Sequence, residues 1–260
     1  MSWTSALKAL VVVPTYNEVD NVRLLAENVW QHVPNVHLLF VDDNSTDGTR
    51  KVVRELMAER PGQVFLLERE RKLGLGTAYV AAFKWGLARD YDALIEMDAD
   101  HSHRPEDLAK ILRRLSNAPV VIGSRYCPGG GTQNWGLSRR LISRLGSLYA
   151  GLVLRLTVRD LTGGFNAWRR EVIEAIDPAS IGSEGYAFQV ELKYRAHLAG
   201  YPLAEEPILF VERRAGHSKM SGGIIGEAIY RIWQLALQRG AIRSELAARR
   251  ARPVGVNAGS

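Results

Sequence analysis

The sequence predicts an α/β fold with a mostly parallel central sheet and helices on both faces. Three observations predict it. Short apolar runs of strand length alternate with amphipathic stretches of helix length through the first half of the chain. Those runs are of the buried type, as strands covered on both faces are. Acidic and polar residues follow the first, second and fourth runs directly, at the strand ends where parallel sheets bind their ligands.

Taken in order, residues 10–13 form a strand ending at Pro14. Residues 15–18 then lead into a helix with Val22, Leu25, Ala26 and Val29 on one face. Residues 36–41 are a second strand, closed by the polar run 42–48, and 49–59 a second helix. Strands over 64–67, 93–97 and 120–123, with helices over 77–88 and after Pro105, continue the alternation. Beyond about residue 125 the pattern changes. A triple glycine at 129–131 precedes a long amphipathic helix over 137–156. Leu137, Leu141, Leu145, Leu148, Leu152 and Leu156 recur on one side of it, and Arg140, Arg144 and Arg155 share another stripe. A strand over 163–168, helices over 169–176 and 186–199, a strand over 203–211 and an amphipathic helix over 224–237 follow. The expectation is one domain over 1–240, then an Ala/Arg-rich disordered tail over 241–260.

Composition narrows the class. The content, 46% hydrophobic and 24% charged, is that of a globular protein. No apolar run approaches the length of a membrane span, and the N-terminal segment lacks an export signal. The single cysteine, Cys127, fits a reducing compartment and a plain loop thiol better than a nucleophile. The net charge is +6, carried by 27 arginines against 7 lysines. Forked guanidinium contacts with phosphate oxygens suit that bias, as does genome base composition. No nucleic-acid-binding signature accompanies the charge, so no nucleic-acid partner is expected.

The chemistry centres on residues 91–103, YDALIEMDADHSH. Asp98 and Asp100 stand just past a strand and two residues apart, so their carboxylates point to one side. Such a pair grips a hard divalent cation and leaves positions for phosphate and water. The plainer alternative is a polar loop in which Asp100 or Ser102 caps the next helix. Tyr16 offers a face for a nucleobase, Glu18 an acceptor for base or ribose donors, and Asp43 an acid against ribose hydroxyls. Asn17, Ser45 and Asp47 are read as helix caps. Residues 74–78, GLGTA, make a tight loop before a helix N-terminus near phosphate. Arg125 closes the fifth strand, and further cations stand at Arg213, Arg214 and Lys219. His101 and His103 are read as helix-cap or loop residues rather than zinc ligands, and Tyr186, Phe188 and Tyr194 as core.

PTYNE at 14–18, DDNSTDGT at 42–49, KLGLGTA at 72–78, DAD at 98–100 and GSRY at 123–126 together resemble the inverting family 2 glycosyltransferases. LTGGFNAWRR at 161–170, GYAFQVEL at 185–192 and RRAGHSKM at 213–220 narrow the resemblance to the polyprenyl- and dolichyl-phosphate mannose synthases. It spans roughly residues 8–239 and implies a Rossmann-like GT-A fold. It also implies mannose transfer from GDP-mannose to a polyprenyl or dolichyl phosphate with inversion, assisted by Mg²⁺ or Mn²⁺. GDP contacts are implied at Pro14, Tyr16, Glu18, Val41 and Asp43. Metal and diphosphate are implied at Asp98, Ala99 and Asp100. Donor and acceptor phosphates are implied at Arg125, Arg213 and Lys219, with Ser218 and either Arg139 or Arg140 at the lipid phosphate. Ser102 stands where some relatives carry a glutamine metal ligand. Asp100 and Arg125 are the expected catalytic pair. No strong general base is expected, because a phosphate monoester is largely ionised at neutral pH. The chemical rival is a UDP-glucose-dependent lipid-phosphate glucosyltransferase; the rival of another class is a non-catalytic nucleotide-sugar-binding scaffold subunit.

A cytoplasmic protein held peripherally at the membrane, directly or through an anchoring partner, is the expected setting. The 137–156 helix either lies in the interface beside anionic headgroups or packs into the core with its arginines exposed.

Overall fold

The computed structural model describes residues 7–183, 185–212 and 222–251. Its sheet has the strand order β3-β2-β1-β4-β7-β5-β8. The strands are β1 (Ala9–Thr15), β2 (His37–Asp42), β3 (Val64–Glu68), β4 (Ala93–Glu96), β5 (Val120–Ser124), β7 (Asn166–Arg169) and β8 (Leu203–Pro207). All run parallel except β7, which is antiparallel to both neighbours. A small second sheet pairs β6 (Gly131–Gln133) with β9 (Leu209–Val211).

Helices cover both faces. On one, α1 (Val19–His32), α2 (Thr49–Glu59) and α4 (Pro105–Leu115) bury Val22, Leu25, Val53, Leu108 and Ile111 against Val11, Val13, Leu38 and Ile95. On the other, α3 (Leu75–Leu87), α5 (Leu137–Leu154), α6 (Arg170–Ile176), α7 (Gly185–Leu198), α8 (Gly222–Leu237) and α9 (Arg239–Arg250) close over Leu10, Val12, Leu39, Leu94 and Ile122. Successive residues of β1 therefore feed two cores, which is why its sequence is apolar without alternation.

Several boundaries differ from expectation. The run 203–211 is two strands: β8 pairs with β5, and after Ile208 β9 turns to pair with β6. The strand expected over 163–168 starts only at Asn166, and the residues before it form a loop at the sheet's carboxyl end. The chain from 241 to 250 is not a tail. It is most of α9, whose Ile242 and Leu246 are buried and whose Arg249 pairs with Asp177 at 2.7 Å. Arginine and alanine are good helix formers, so a composition that reads as tail propagates a helix once two apolar residues dock.

Candidate active site

The ends of β1, β2, β4 and β5 deliver the polar residues to one side of the sheet, and the first two loops are stitched to each other. Asn17 N donates to Ser45 Oγ at 2.9 Å, and Thr46 N to Asn17 Oδ1 at 3.0 Å. Asp47 accepts from Val19 N at 3.0 Å and Thr49 N at 2.9 Å, capping α1 and α2 together. Of the three expected caps, Asp47 caps, while Asn17 and Ser45 bond loop to loop. Asp42 anchors the arrangement from below, accepting from Ser45 N at 2.9 Å and Thr15 Oγ1 at 3.2 Å.

Within this frame Tyr16 keeps 42% of its surface exposed, with the Lys72 ammonium 3.7 Å from its ring centroid. Glu18 accepts from Asn21 Nδ2 at 2.6 Å. Pro14 lies in β1, and Val41 is a fully buried core residue of β2 whose carbonyl accepts from Thr15 Oγ1 at 3.4 Å. Asp43 is buried, paired with Arg69 at 2.9 Å, and accepts from Leu73 N at 3.3 Å. Burial raises the Asp43 carboxyl above its ordinary range, and Arg69 opposes that shift.

The Asp98 loop turns sharply after β4. Ala99 is buried, His101 takes φ 60°, and Ser102 N closes back on Asp100 Oδ1 at 3.0 Å. Asp98 Oδ2 lies 3.8 Å from His103 Nε2, and Asp98 N donates to His103 Nδ1 at 3.0 Å. Because Nδ1 accepts, Nε2 carries the ring proton and faces the carboxylate. Burial lowers the pKa of His103, although Asp98 pulls the other way. The imidazole also stacks on Phe165, centroids 4.7 Å apart. His103 is thus a buried loop residue that takes a hydrogen bond from the Asp98 backbone and faces its carboxylate.

Arg125 is gripped from the loop before β7. Its Nε and Nη2 meet Asp160 Oδ2 and Oδ1, each at 2.7 Å, its backbone N donates to Oδ2 at 2.9 Å, and Nη2 donates to Thr162 Oγ1 at 3.0 Å. Burial alone would push the Asp160 carboxyl up, but the guanidinium outweighs it and holds the pKa below its usual value. Gly130 lets the chain after Arg125 fold back against the Ser124 carbonyl, where a Cβ would clash. Beneath lies a second buried group: Glu96 accepts from Asn166, Trp168 and Gln189 at 2.8–3.0 Å.

A cavity of about 440 Å³ joins these parts. Asp98, His103, Arg125, Arg139 and Thr162 line its polar end, and Ile142, Leu145 and Tyr149 of α5 with Ile229 and Ile232 of α8 line its apolar walls. Of the two candidate arginines, Arg139 is the one on the wall, 4.1 Å from the Trp135 ring centroid and paired with Glu212 at 2.8 Å. Arg140 points away and donates to Thr132 O at 3.0 Å. Ser143, one turn along from Arg139, also lines the cavity. Arg213, Ser218 and Lys219 lie outside the described residues, as does the Tyr186 side chain.

The apolar side of α5 faces outward. Leu137, Leu141, Leu145, Leu148 and Leu152 are 52–81% exposed, and of the leucine series only Leu156 is buried. Ile229, Tyr230, Trp233 and Leu237 extend this exposed ridge onto α8, which packs beside α5. The core-packed alternative for that leucine row therefore does not hold. Leu145 and Ile229 both line the cavity and stand exposed, so its mouth opens on the ridge.

The family model described as glycosyl transferase family 2 matches residues 10–177, the stretch that builds the sheet through β7. The chain belongs to glycosyl transferase family 2. An undecaprenyl-phosphate mannosyltransferase of Micrococcus luteus is 46% identical over 92% of this chain and 99% of its own. A polyprenol monophosphomannose synthase of Mycolicibacterium smegmatis is 45% identical over 86% of this chain and 85% of its own. Among solved structures, the glucosyl-3-phosphoglycerate synthase of Mycobacterium tuberculosis, in complex with Mn²⁺, UDP and glucosyl-3-phosphoglycerate, superposes with TM-score 0.62 at 18% identity. That match covers 90% of this chain and 80% of the other. It establishes the glycosyltransferase fold expected from the motifs. The Trp135, Ser143, Asp160 and Thr162 contributions escape sequence reasoning; an acid three residues before a glycine pair is the one available signal for Asp160.

Proposed function

We propose that this enzyme transfers mannose from GDP-mannose to a polyprenyl phosphate with inversion, giving a β-linked mannosyl phospholipid. The cavity carries the proposal. An acceptor with an anionic head and a long apolar tail needs cations at one end of its site and hydrocarbon at the other, and this cavity has both. The two mannosyltransferase relatives support mannose over the glucose alternative.

Arg125 and Arg139 are assigned to the acceptor phosphate, with Asp98 on the donor side of the same space. Such a phosphate, with a second pKa near about 6, arrives largely ionised. The residues therefore need only align it behind the sugar carbon opposite the leaving diphosphate, and no side chain has to remove a proton. The donor's nucleotide is assigned to Tyr16, Glu18 and Asp43, along the stitched loops.

Asp98 and Asp100 are assigned to a divalent cation, Mg²⁺ or Mn²⁺. Their hard carboxylate oxygens suit one, and the hydroxyl of Ser102 beside them is buried without a hydrogen-bond partner among the described residues. No group of three or more His, Cys, Asp or Glu gathers among those residues, so the diphosphate and water would supply other ligands. The Mn²⁺ of the structural neighbour agrees with this choice. Bound there, the ion would offset the charge that builds on departing GDP.

The same reading puts the protein at the cytoplasmic face of a membrane. No helix of the described residues is long and apolar enough to cross one. The exposed α5–α8 ridge, flanked by Arg140 and Arg144, suits an interface instead. The test is incubation with GDP-mannose or UDP-glucose, Mg²⁺ or Mn²⁺, and a short polyprenyl monophosphate. A β-mannosyl lipid from GDP-mannose is the expected product; its absence, or a glucolipid alone, refutes the proposal.

A further inference from the structure

Lys193 of α7 takes no part in the chemistry above, yet it is completely buried. It donates to two backbone carbonyls, Leu161 O at 3.0 Å and Gly163 O at 2.7 Å, and no carboxylate pairs with it directly among the described residues. An ammonium held this way is a costly core residue, and an apolar side chain of similar volume would usually serve stability better. Its two acceptors bracket Thr162, within the segment that grips Arg125. Asp160 and Thr162 hold the guanidinium, and Gly163 N closes back on Asp160 Oδ1 at 3.0 Å. Asp160 also cancels the charge of Arg125, and Lys193 is the next cation behind it.

We infer that Lys193 is a positioning residue for the acceptor phosphate: it pins residues 160–163 so that Asp160 and Thr162 hold Arg125 at the polar end of the cavity, and it adds a positive charge behind Asp160. The inference rests on the mannosyl-transfer proposal, with Arg125 at the acceptor. It extends the site one layer inward, to a helix that among the described residues meets the cavity through Ala187 and Val190.

Two variants test it. Lys193→Gln retains N–H donors without the charge, and Lys193→Met removes both. With GDP-mannose, metal and a short polyprenyl monophosphate, the acceptor KM should rise about tenfold in the glutamine variant and further in the methionine variant. The KM for GDP-mannose and its slow hydrolysis by water should stay within about twofold of wild type, because the groups that meet the donor are untouched. Titration of the acceptor alone, followed by its phosphorus resonance, should weaken by the same factor as the acceptor KM. Equal loss of hydrolysis and transfer, unchanged acceptor binding, or a glutamine variant that does not fold would each overturn the inference. A wild type that makes no mannolipid defeats the proposed function instead, and the acceptor titration still reports on the lysine.

Discussion

The two halves of the site are built by opposite means. On the side assigned to the donor, short loops at parallel strand ends are laced together by Asn17, Ser45, Asp47 and Thr49, so polar groups satisfy polar groups. On the side assigned to the acceptor, a mostly apolar cavity opens between α5 and α8 onto exposed leucines, and its Arg125 is fixed from the interior by Asp160. A water-soluble nucleotide and a lipid make opposite demands of solvent, and the proposed assignment gives each half one of them.

The largest effect expected of a single change lies on the donor side. Asp100→Ala should lower kcat by about 10²–10³-fold while the melting temperature hardly moves, since its carboxylate is partly exposed. Near-normal turnover would break the division of labour. On the acceptor side, Asp160→Ala leaves a buried guanidinium without its carboxylate. Unfolding by denaturant should show a loss of about 3–5 kcal/mol, far more than an exposed pair would cost. The depressed pKa of Asp160 adds a pH signature. Its stabilisation is complete above the ordinary carboxylate range and is lost as the pH falls through the folded value. Acid titration of stability should therefore be flatter in Asp160→Asn than in wild type.

Paired Leu141→Asp and Leu148→Asp changes sharpen the contrast from outside. Both leucines are exposed, so stability should shift by no more than about 0.5 kcal/mol per site, whereas sedimentation with anionic liposomes should fall sharply. Retained liposome binding would remove the interface role of the ridge. The smallest effect is expected at Tyr16→Ala. Losing the face beside Lys72 should raise the KM for GDP-mannose a few-fold, about 1 kcal/mol, and leave the acceptor KM alone.

The convergence of the strand-end residues is legible in the sequence, because strand periodicity and strand-end chemistry lie close together in the chain. Asp43, Asp98 and Arg125 each follow a strand by one or two residues, and the parallel sheet brings them to one edge. The acceptor half depends on contacts between distant segments. Nothing near Arg125 announces Asp160, which lies 35 residues away, and nothing near Lys193 announces the carbonyls 30 and 32 residues before it. The leucine row of α5 was visible as a row, but its outward direction is a tertiary fact. In α9 the local composition pointed the wrong way, because docking of Ile242 and Leu246 outweighed a tail-like stretch.

The reversed direction of β7 has a consequence of its own. An outgoing strand can equip a crevice only with residues that follow it, whereas β7 arrives from the crevice, so Asp160 and Thr162, which precede it, meet Arg125 from the other direction. The sheet thereby gains an entry loop among exit loops, tethered to the donor frame by a few ladder bonds. One inverted strand thereby gives the scaffold a buried clasp for Arg125 beside its exit loops.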